Sequence, residues 1–549
     1  MYIRITKNQK GDAYYHLVES YREQGKVKQR TLLSLGKVED GKLEQLAEAI
    51  SKHLDTMTAV EFAKHVDVSQ TYLYGPLYLL QRMAERLGIE KILKQIASQH
   101  ERLTFDFYNI VFSLIASRFI RPMSKLGFYE HILDRLYPGI VSSDMDLQHI
   151  YRSMDLLSEH KEEIEQSLFF HQKDLFSLNV DVVLYDLTTL RFESTRVDQG
   201  ELPRFGYSKE MRSDCTQLVF GLLTDTDGIP LGFEAFPGNT FEGKTLDGIV
   251  DKLHKKFNVR RFIFVADRGL FSPKNLDYIR DSDGEFIVGL KMATLEENIQ
   301  DNLYDISRFV FLSDELAIME TTLDDDRCIV TWSKSRAERD RKTREDILDK
   351  IRQKISSKKV SSKKFISNTN YQKYVLVYDD KPPVLNQAAI EAQARKDGFF
   401  GIISNVSARQ MSAGELVANY KQLWKIEDAF GEIKGPLKAR PIFHWTDSRI
   451  IGHLTLCFMA YLCEAHLTKA LREKESMLKS KSIDKGILLH RSLTAMQALE
   501  DLNSVLAIPV KIKNQCVWVR TDIPPNATEL LRAMSMKIPP KILMQKSEM

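Results

Sequence analysis

Cysteine is scarce in this sequence. The 549 residues hold five, Cys215, Cys328, Cys457, Cys463 and Cys516, an odd number with no Cys-x-x-Cys pair. That excludes a disulfide framework and a cysteine-type zinc site, and it fits a reducing cytoplasm. Long apolar runs are also missing. The most apolar stretch, residues 454–462, is far too short to span a bilayer. The start, Met1-Tyr2-Ile3-Arg4-Ile5, has no signal-peptide core. A soluble intracellular protein with no membrane partner is expected. Neither G-x-S-x-G nor H-E-x-x-H occurs, which argues against a serine hydrolase or a zinc protease of those types. No repeat of 20–50 residues is visible, and a strong excess of one charge is lacking: the net charge is +3 and the pI about 8.3.

What is present belongs to an ordinary globular chain, 43% hydrophobic and 28% charged. At this length one core cannot suffice, and roughly three to five domains are expected. Residues 1–58 read as a small β meander with a basic, tyrosine-bearing face, and residues 59–175 as helices with apolar spacing near 3.6, as in Leu77, Leu80, Met83, Ala84 and Leu87. From 176 to 292 the pattern is strand, hairpin, helix, strand, helix, strand, which suits an α/β mixed sheet with helices on its faces. Residues 293–395 read as an inserted β-rich module with a basic helix. Between Lys334 and Lys364 it carries thirteen Lys or Arg against five acidic residues, either a phosphate-neutralising surface or a solvated, ion-paired helix and linker. Strand character returns at 398–403, and a long helix is expected over 412–434, stopped by Gly435-Pro436, within a second core segment 396–475. The C-terminal region, 476–549, shows β-like runs at 505–512 and 517–520 without a clear place.

Three carboxylates stand out. Asp186 follows the apolar run 180–185, and Asp267 closes the run 261–266. A carboxylate there must be ion-paired, hydrogen-bonded or metal-bound, although a strand-end aspartate capping a turn is the plainer reading of either alone. Glu427 shares a helical face with Tyr420, Leu423, Trp424, Phe430 and Lys434, so a glutamate within an apolar stripe needs a cation. Lys434 would satisfy it as a salt bridge. A metal ion facing both aspartates is the sharper alternative, since three carboxylates can hold two hard divalent ions about 3.5–4 Å apart. Such a pair clamps the attacking and leaving oxygens of an in-line displacement at phosphorus. With water as nucleophile it nicks DNA, and with a 3′-hydroxyl it joins strands.

The order Asp186, Asp267, Glu427, with a long β-rich insertion before the glutamate, resembles the DDE transposases of bacterial insertion sequences. The subgroup is the one with an RNase-H-like core and a Tyr-x2-Arg-x3-Glu-x6-Lys signature. Here the signature falls on Tyr420, Leu423, Glu427 and Lys434, so leucine stands in place of arginine, and Lys425 or Lys421 is expected to take over its phosphate contact. The blocks Arg440-Pro441-Ile442-Phe443-His444-Trp445 and Arg449-Ile450-Ile451-Gly452-His453-Leu454 are similar too, as are Ser117-Arg118 and Pro122-Met123-Ser124-Lys125-Leu126. The likeness covers roughly residues 110–520. It implies a multidomain α/β protein with an RNase-H-like mixed sheet, two Mg²⁺ or Mn²⁺ ions per site held by Asp186, Asp267 and Glu427, and a homodimer. The dimer would pair DNA ends bearing terminal inverted repeats, in cut-and-paste transfer to target DNA through a hairpin or another intermediate. By the same likeness the protein is bacterial and lies on the nucleoid when bound. Tyr420, Lys425, Lys434, Lys244, Arg268, Arg440 and His444 become expected DNA contacts, with Trp332 as a stacking partner for a flipped base. His444 and His453 are expected to be structural or DNA-facing rather than zinc ligands.

Two rivals remain. Residues 238–245, Gly-Asn-Thr-Phe-Glu-Gly-Lys-Thr, match the phosphate-loop pattern between a strand and a helix, and the run into Asp267 could serve an ATPase. That reading leaves Asp186 and Glu427 without a role. A catalytically inactive DNA-binding relative is the other.

Overall fold

A computed structural model describes residues 2–23, 26–37, 66–67, 70–176, 182–197, 200–207, 212–259, 262–270, 272–356, 369–377, 383–483, 495–512 and 515–543. Two compact units emerge: residues 154–465, and residues 1–153 together with 466–549.

The 154–465 unit is built on nine strands. They are β1 (Val182–Arg191), β2 (Gln217–Thr224), β3 (Pro230–Pro237), β4 (Ile263–Ala266), β5 (Glu285–Gly289), β6 (Val310–Ser313), β7 (Leu316–Leu323), β8 (Asp326–Ser333) and β9 (Phe399–Ser404). Their order across the sheet is β6-β7-β8-β9-β5-β4-β1-β2-β3. The first five alone run 3-2-1-4-5, with β1, β4 and β5 mutually parallel and β2 and β3 antiparallel. This is the RNase-H-like arrangement that the resemblance implies. The β2–β3 hairpin turns as its sequence dictates: Asp225 Oδ1 accepts from the Asp227 and Ile229 amides at 2.8 Å each, and Gly228 takes φ +85°.

The insertion differs from expectation. Its strands are not a separate module: β8 pairs with β9 and β9 with β5, both antiparallel, so β6–β8 lengthen the same sheet. The physical reason is the open edge of β5, whose backbone groups β9 satisfies and whose next edge the β7–β8 hairpin covers in turn. The basic helix appears as expected, at Lys334–Ser356. The Ser/Lys-rich segment 357–368 lies outside the described residues.

Alternation along β1 sorts its side chains to two faces. Val183, Tyr185 and Leu187 join Phe264, Ala266, Phe286 and Val288 in a core closed by the helices Lys161–Phe176, Leu246–Asp251 and Pro273–Asp281. Leu184, Asp186 and Thr188 take the opposite face. There Phe220 and Phe233 of β2 and β3 meet Phe430 and Phe458.

The long helix expected over 412–434 is two helices, Ala413–Lys421 and Trp424–Lys434. Ser412 and Glu415 cap the first reciprocally. Three-residue hydrogen bonds then tighten the junction, Gln422 N to Asn419 O (2.9 Å), Leu423 N to Tyr420 O (3.1 Å) and Lys425 N to Gln422 O (2.9 Å). No proline or glycine marks the break, so apolar spacing alone reads straight through it.

In the other unit the N-terminal meander is present as Tyr2–Lys7, Ala13–Glu23 and Lys26–Lys37, all antiparallel. Its expected boundary near residue 58 lies outside the described residues. Leu77, Leu80, Met83, Ala84 and Leu87 are buried as their spacing predicts. The tail strands Leu506–Ile512 and Gln515–Arg520 form a hairpin, and the first pairs with Val66–Asp67 and Tyr72–Leu73. The helix starting at Asp447, which belongs to the 154–465 unit as far as residue 465, is long and apolar enough to cross a membrane by length and composition over residues 447–474, which the short apolar run at 454–462 does not suggest. Within its apolar window 89% is buried inside the protein, as in a core helix.

Candidate active site

Asp186 and Asp267 are brought together by strand register. Tyr185 pairs with Ala266 across the parallel β1–β4 ladder, and Ala266 with Val288 across β4–β5. The next position in each strand is therefore Asp186, Asp267 and Gly289, one row on one face, with neighbouring strands about 4.8 Å apart. Asp186 lies within β1 rather than at its end, for β1 runs on to Arg191 while β4 stops at Ala266. Asp186 is half-buried and its Oδ1 accepts from the Leu187 amide at 2.7 Å; Asp267 is exposed.

Tyr420, at the end of its helix, donates its hydroxyl to Asp267 Oδ1 at 3.1 Å. A Cβ at position 289 would stand 2.6 Å from that hydroxyl, so glycine is what admits the phenol. Burial raises the Tyr420 pKa well above its ordinary value, and the Asp267 carboxylate adds to the rise, against the opposing pull of Arg268 and Arg336. The phenol thus keeps its proton and remains a donor to Asp267 at neutral pH. The Tyr420 ring rests 5.0 Å from that of Phe400, and the Arg336 guanidinium lies 4.8 Å over the Phe400 ring. Thr188, Gly289, Phe400 and Arg336 were not legible as site residues, because their place depends on cross-strand neighbours and not on any local pattern.

Glu427 arrives from the second helix. The buried stripe there is Ile426, Ala429, Phe430 and Ile433, and Glu427 is exposed beside it, which corrects the expectation of a glutamate inside the apolar stripe. The junction at 422–423 turns the helix, and so Tyr420 and Glu427 do not share one continuous face. Lys434 does not bridge to Glu427: its Nζ donates to Thr188 Oγ1, two residues beyond Asp186 on the same face of β1. At the other end of this helix Lys425 Nζ donates to Thr226 O in the β2–β3 turn, beyond Thr224, which pairs with Leu184. The helix therefore runs alongside β1. Glu427 precedes Lys434 by two turns, about 10 Å along the helix, toward the part of β1 where Asp186 lies.

Among the described residues neither Asp267 nor Glu427 has an ion-pair partner. Ligand oxygens of all three acids do not lie within 4.8 Å of one another. The donor set is hard oxygen throughout, which fits divalent cations such as Mg²⁺.

The remaining expected contacts scatter. Lys244 is exposed in the turn Glu242–Lys244, which packs against the turn Arg268–Leu270 directly after Asp267, and Arg268 is exposed there too. Both belong to the rim of the carboxylate row. Lys425 is engaged with the hairpin turn, 4.0 Å from Asp227, and so is turned away from the place Leu423 leaves. Trp332 is half-buried on β8 against Phe311, 6.2 Å between rings, and not a free stacking platform. Arg440 is half-buried in the segment that bridges to the end of β1 through Ile442. His444 is 8% exposed and its ring lies tilted, 5.7 Å from that of His453, whose Nε2 meets Ala439 O at 3.0 Å. His444 is thus largely withdrawn from the surface.

The phosphate-loop reading fails on geometry. Thr245, which would have to reach a magnesium ion, is fully buried and accepts the Tyr185 hydroxyl at 3.1 Å. Gly238 is locked against the sheet edge, where a Cβ would meet Gln217 O at 2.0 Å.

The chain matches two known families. The family described as IS1634 family transposase, N-terminal domain, matches residues 3–61, and the one described as transposase DDE domain matches residues 180–463. No curated protein matches the chain. A solved structure described as a piggyBac transposase synaptic complex with hairpin DNA aligns at 10% identity and a TM-score of 0.35, over 79% of this chain and 82% of that one. The DDE match spans more than half of the sequence, nearly coincides with the 154–465 unit and contains all three carboxylates, and the chain therefore belongs to the DDE transposases of insertion sequences.

Proposed function

We propose that the chain cuts and rejoins DNA at the ends of its own insertion sequence, with Asp186, Asp267 and Glu427 holding two Mg²⁺ or Mn²⁺ ions per site. The observation that carries this reading is the row Asp186–Asp267 on one sheet face, with the glutamate helix running along β1 beside it. When bound, the ions lower the pKa of the attacking hydroxyl and stabilise charge on the leaving oxygen. In a two-ion site the terminal ligands grip different ions, so the three carboxylates need not all touch one another.

The chain's own residues do the rest. Tyr420 holds Asp267 in one rotamer through its hydroxyl, and Gly289 leaves room for it. Lys434 fixes the glutamate helix to Thr188. Lys244 and Arg268 on the rim meet phosphates. Two copies of the chain pair two ends carrying terminal inverted repeats, which the N-terminal region helps to read, and the freed 3′-hydroxyl then attacks target DNA. The work takes place in a bacterial cytoplasm, on the nucleoid.

The test is single-turnover nicking of a duplex made from the DNA that flanks the coding sequence. Cutting is expected with Mg²⁺ or Mn²⁺, none in EDTA, and none with Asp267→Asn. Cutting by Asp267→Asn at the wild-type rate would refute the reading.

A further inference from the structure

An active site for phosphoryl transfer gathers negative charge: three carboxylates meet a DNA backbone, and the transition state spreads further charge over the phosphorus oxygens. The signature segment supplies no cation at position 423, since leucine cannot donate a hydrogen bond. Lys425, the nearest substitute in sequence, is held by the β2–β3 turn.

The fold delivers a guanidinium from elsewhere. Arg336 lies in the first turn of the basic helix, 91 residues before Glu427 in sequence, and its Cζ stands 4.8 Å over Phe400. Phe400 touches Tyr420 at 5.0 Å between rings, and Tyr420 bonds Asp267. The aromatic contact orients the planar guanidinium without using its N–H groups. Arg336 Nε is buried and has no hydrogen-bond partner among the described residues. Asp340 Oδ2 makes an ion pair with it at 3.8 Å, beyond hydrogen-bond length, and also accepts from the Gly398 amide at 3.1 Å. The side chain as a whole is 38% exposed.

We propose that Arg336, carried in by the insertion, replaces the arginine missing at position 423 and grips a phosphate of the DNA strand beside the scissile bond. This rests on the three-carboxylate reading. It also gives the insertion a part in catalysis, because widening the sheet by β6–β8 places the start of the basic helix next to Tyr420.

The experiment is single-turnover cutting of the pre-bound flanking-DNA duplex in Mg²⁺ by Arg336→Gln and Arg336→Lys. Wild type and Asp267→Asn run beside them. Arg336→Gln is expected to cut ~100-fold more slowly, while end affinity stays within about threefold. Arg336→Lys, which keeps the charge but loses the fork, should fall between them at an unchanged Tm. A set of duplexes, each with one methylphosphonate near the scissile bond, identifies the contact. At one position the Arg336→Gln penalty should vanish, because the partner charge is already gone. Cutting by Arg336→Gln within about twofold of wild type, or a penalty equal at every methylphosphonate position, overturns the proposal. If instead Asp267→Asn still cuts, the failure lies with the carboxylate reading and not with Arg336.

Discussion

Two clusters of charge in the same unit obey opposite rules. On the inner side of β3, Lys252 (1% exposed) donates to Phe233 O at 2.8 Å and Glu234 at 2.9 Å and pairs with Glu165 (0%), while Lys161 reaches Glu165, Glu234 and Glu162 at 3.1–3.4 Å. Every charge there has an answer. Across the sheet, Asp267 and Glu427 have no ion-pair partner among the described residues. The first cluster is finished by folding; in the second, exposed acids keep their charge without an ion pair. Both of these acids are exposed, so solvent tolerates their charge and leaves it open to a bound cation.

The sharpest way to break this comparison is to remove one charge from each side. Asp267→Asn should abolish DNA cutting to the limit of detection and leave Tm unchanged or slightly higher, since it removes a charge that has no ion pair. Lys252→Met should leave Glu165 buried with a weakened partner set and cost about 3 kcal/mol of stability. Chemical unfolding of the two variants beside wild type checks both. Should Asp267→Asn prove as destabilising as Lys252→Met, the carboxylate row is structural after all.

Next in size is the effect of cations. A divalent ion bound only by the folded state stabilises by about 2.7 kcal/mol at a hundredfold excess over Kd. Thermal unfolding in rising Mn²⁺ should therefore show an upward shift of several degrees in wild type and none in Asp267→Asn. An equal shift in both would place the ions elsewhere.

The difference between the clusters also marks what a sequence can disclose. Asp186 and Asp267 were legible because each ends or interrupts an apolar run, and the β2–β3 hairpin because Asp225 and Gly228 are turn residues with local causes. The 3-2-1-4-5 order was expected only through the resemblance, for periodicity carries no strand order. The break between Tyr420 and Glu427 was invisible, since no residue there forbids a helix and tertiary contacts to Asp267 and Thr188 decide it. The insertion's merger with the main sheet was hidden for a related reason: backbone edges pair without a side-chain signature. Arg336 looked like one cation among thirteen.

The smallest expected effect concerns pH. Burial opposes the charged form of Glu162, but Lys161, Lys252 and Lys256 outweigh it and hold its pKa at about 2; Glu234 is lowered by Lys252 and Lys161 in the same way. A depressed carboxylate pKa contributes stability above the unfolded value, about 4.3 for glutamate, and loses it as pH falls toward the folded value. Lys161 is shifted upward by Glu165, Glu234 and Glu162 despite burial, so its contribution is present below the ordinary lysine pKa and fades only in strong alkali. Stability from this network should therefore be level from about pH 5 to 10 and decline between about pH 4 and 2. Glu162 is itself 46% exposed, and solvent screening keeps its share of the decline small. In Lys252→Met the acid limb should flatten, because the carboxylates there have lost one source of their depression. Urea midpoints measured from pH 2 to 7 in wild type and variant test this directly. Parallel acid limbs would mean that the lysines fill space on this side of the sheet without governing its charge.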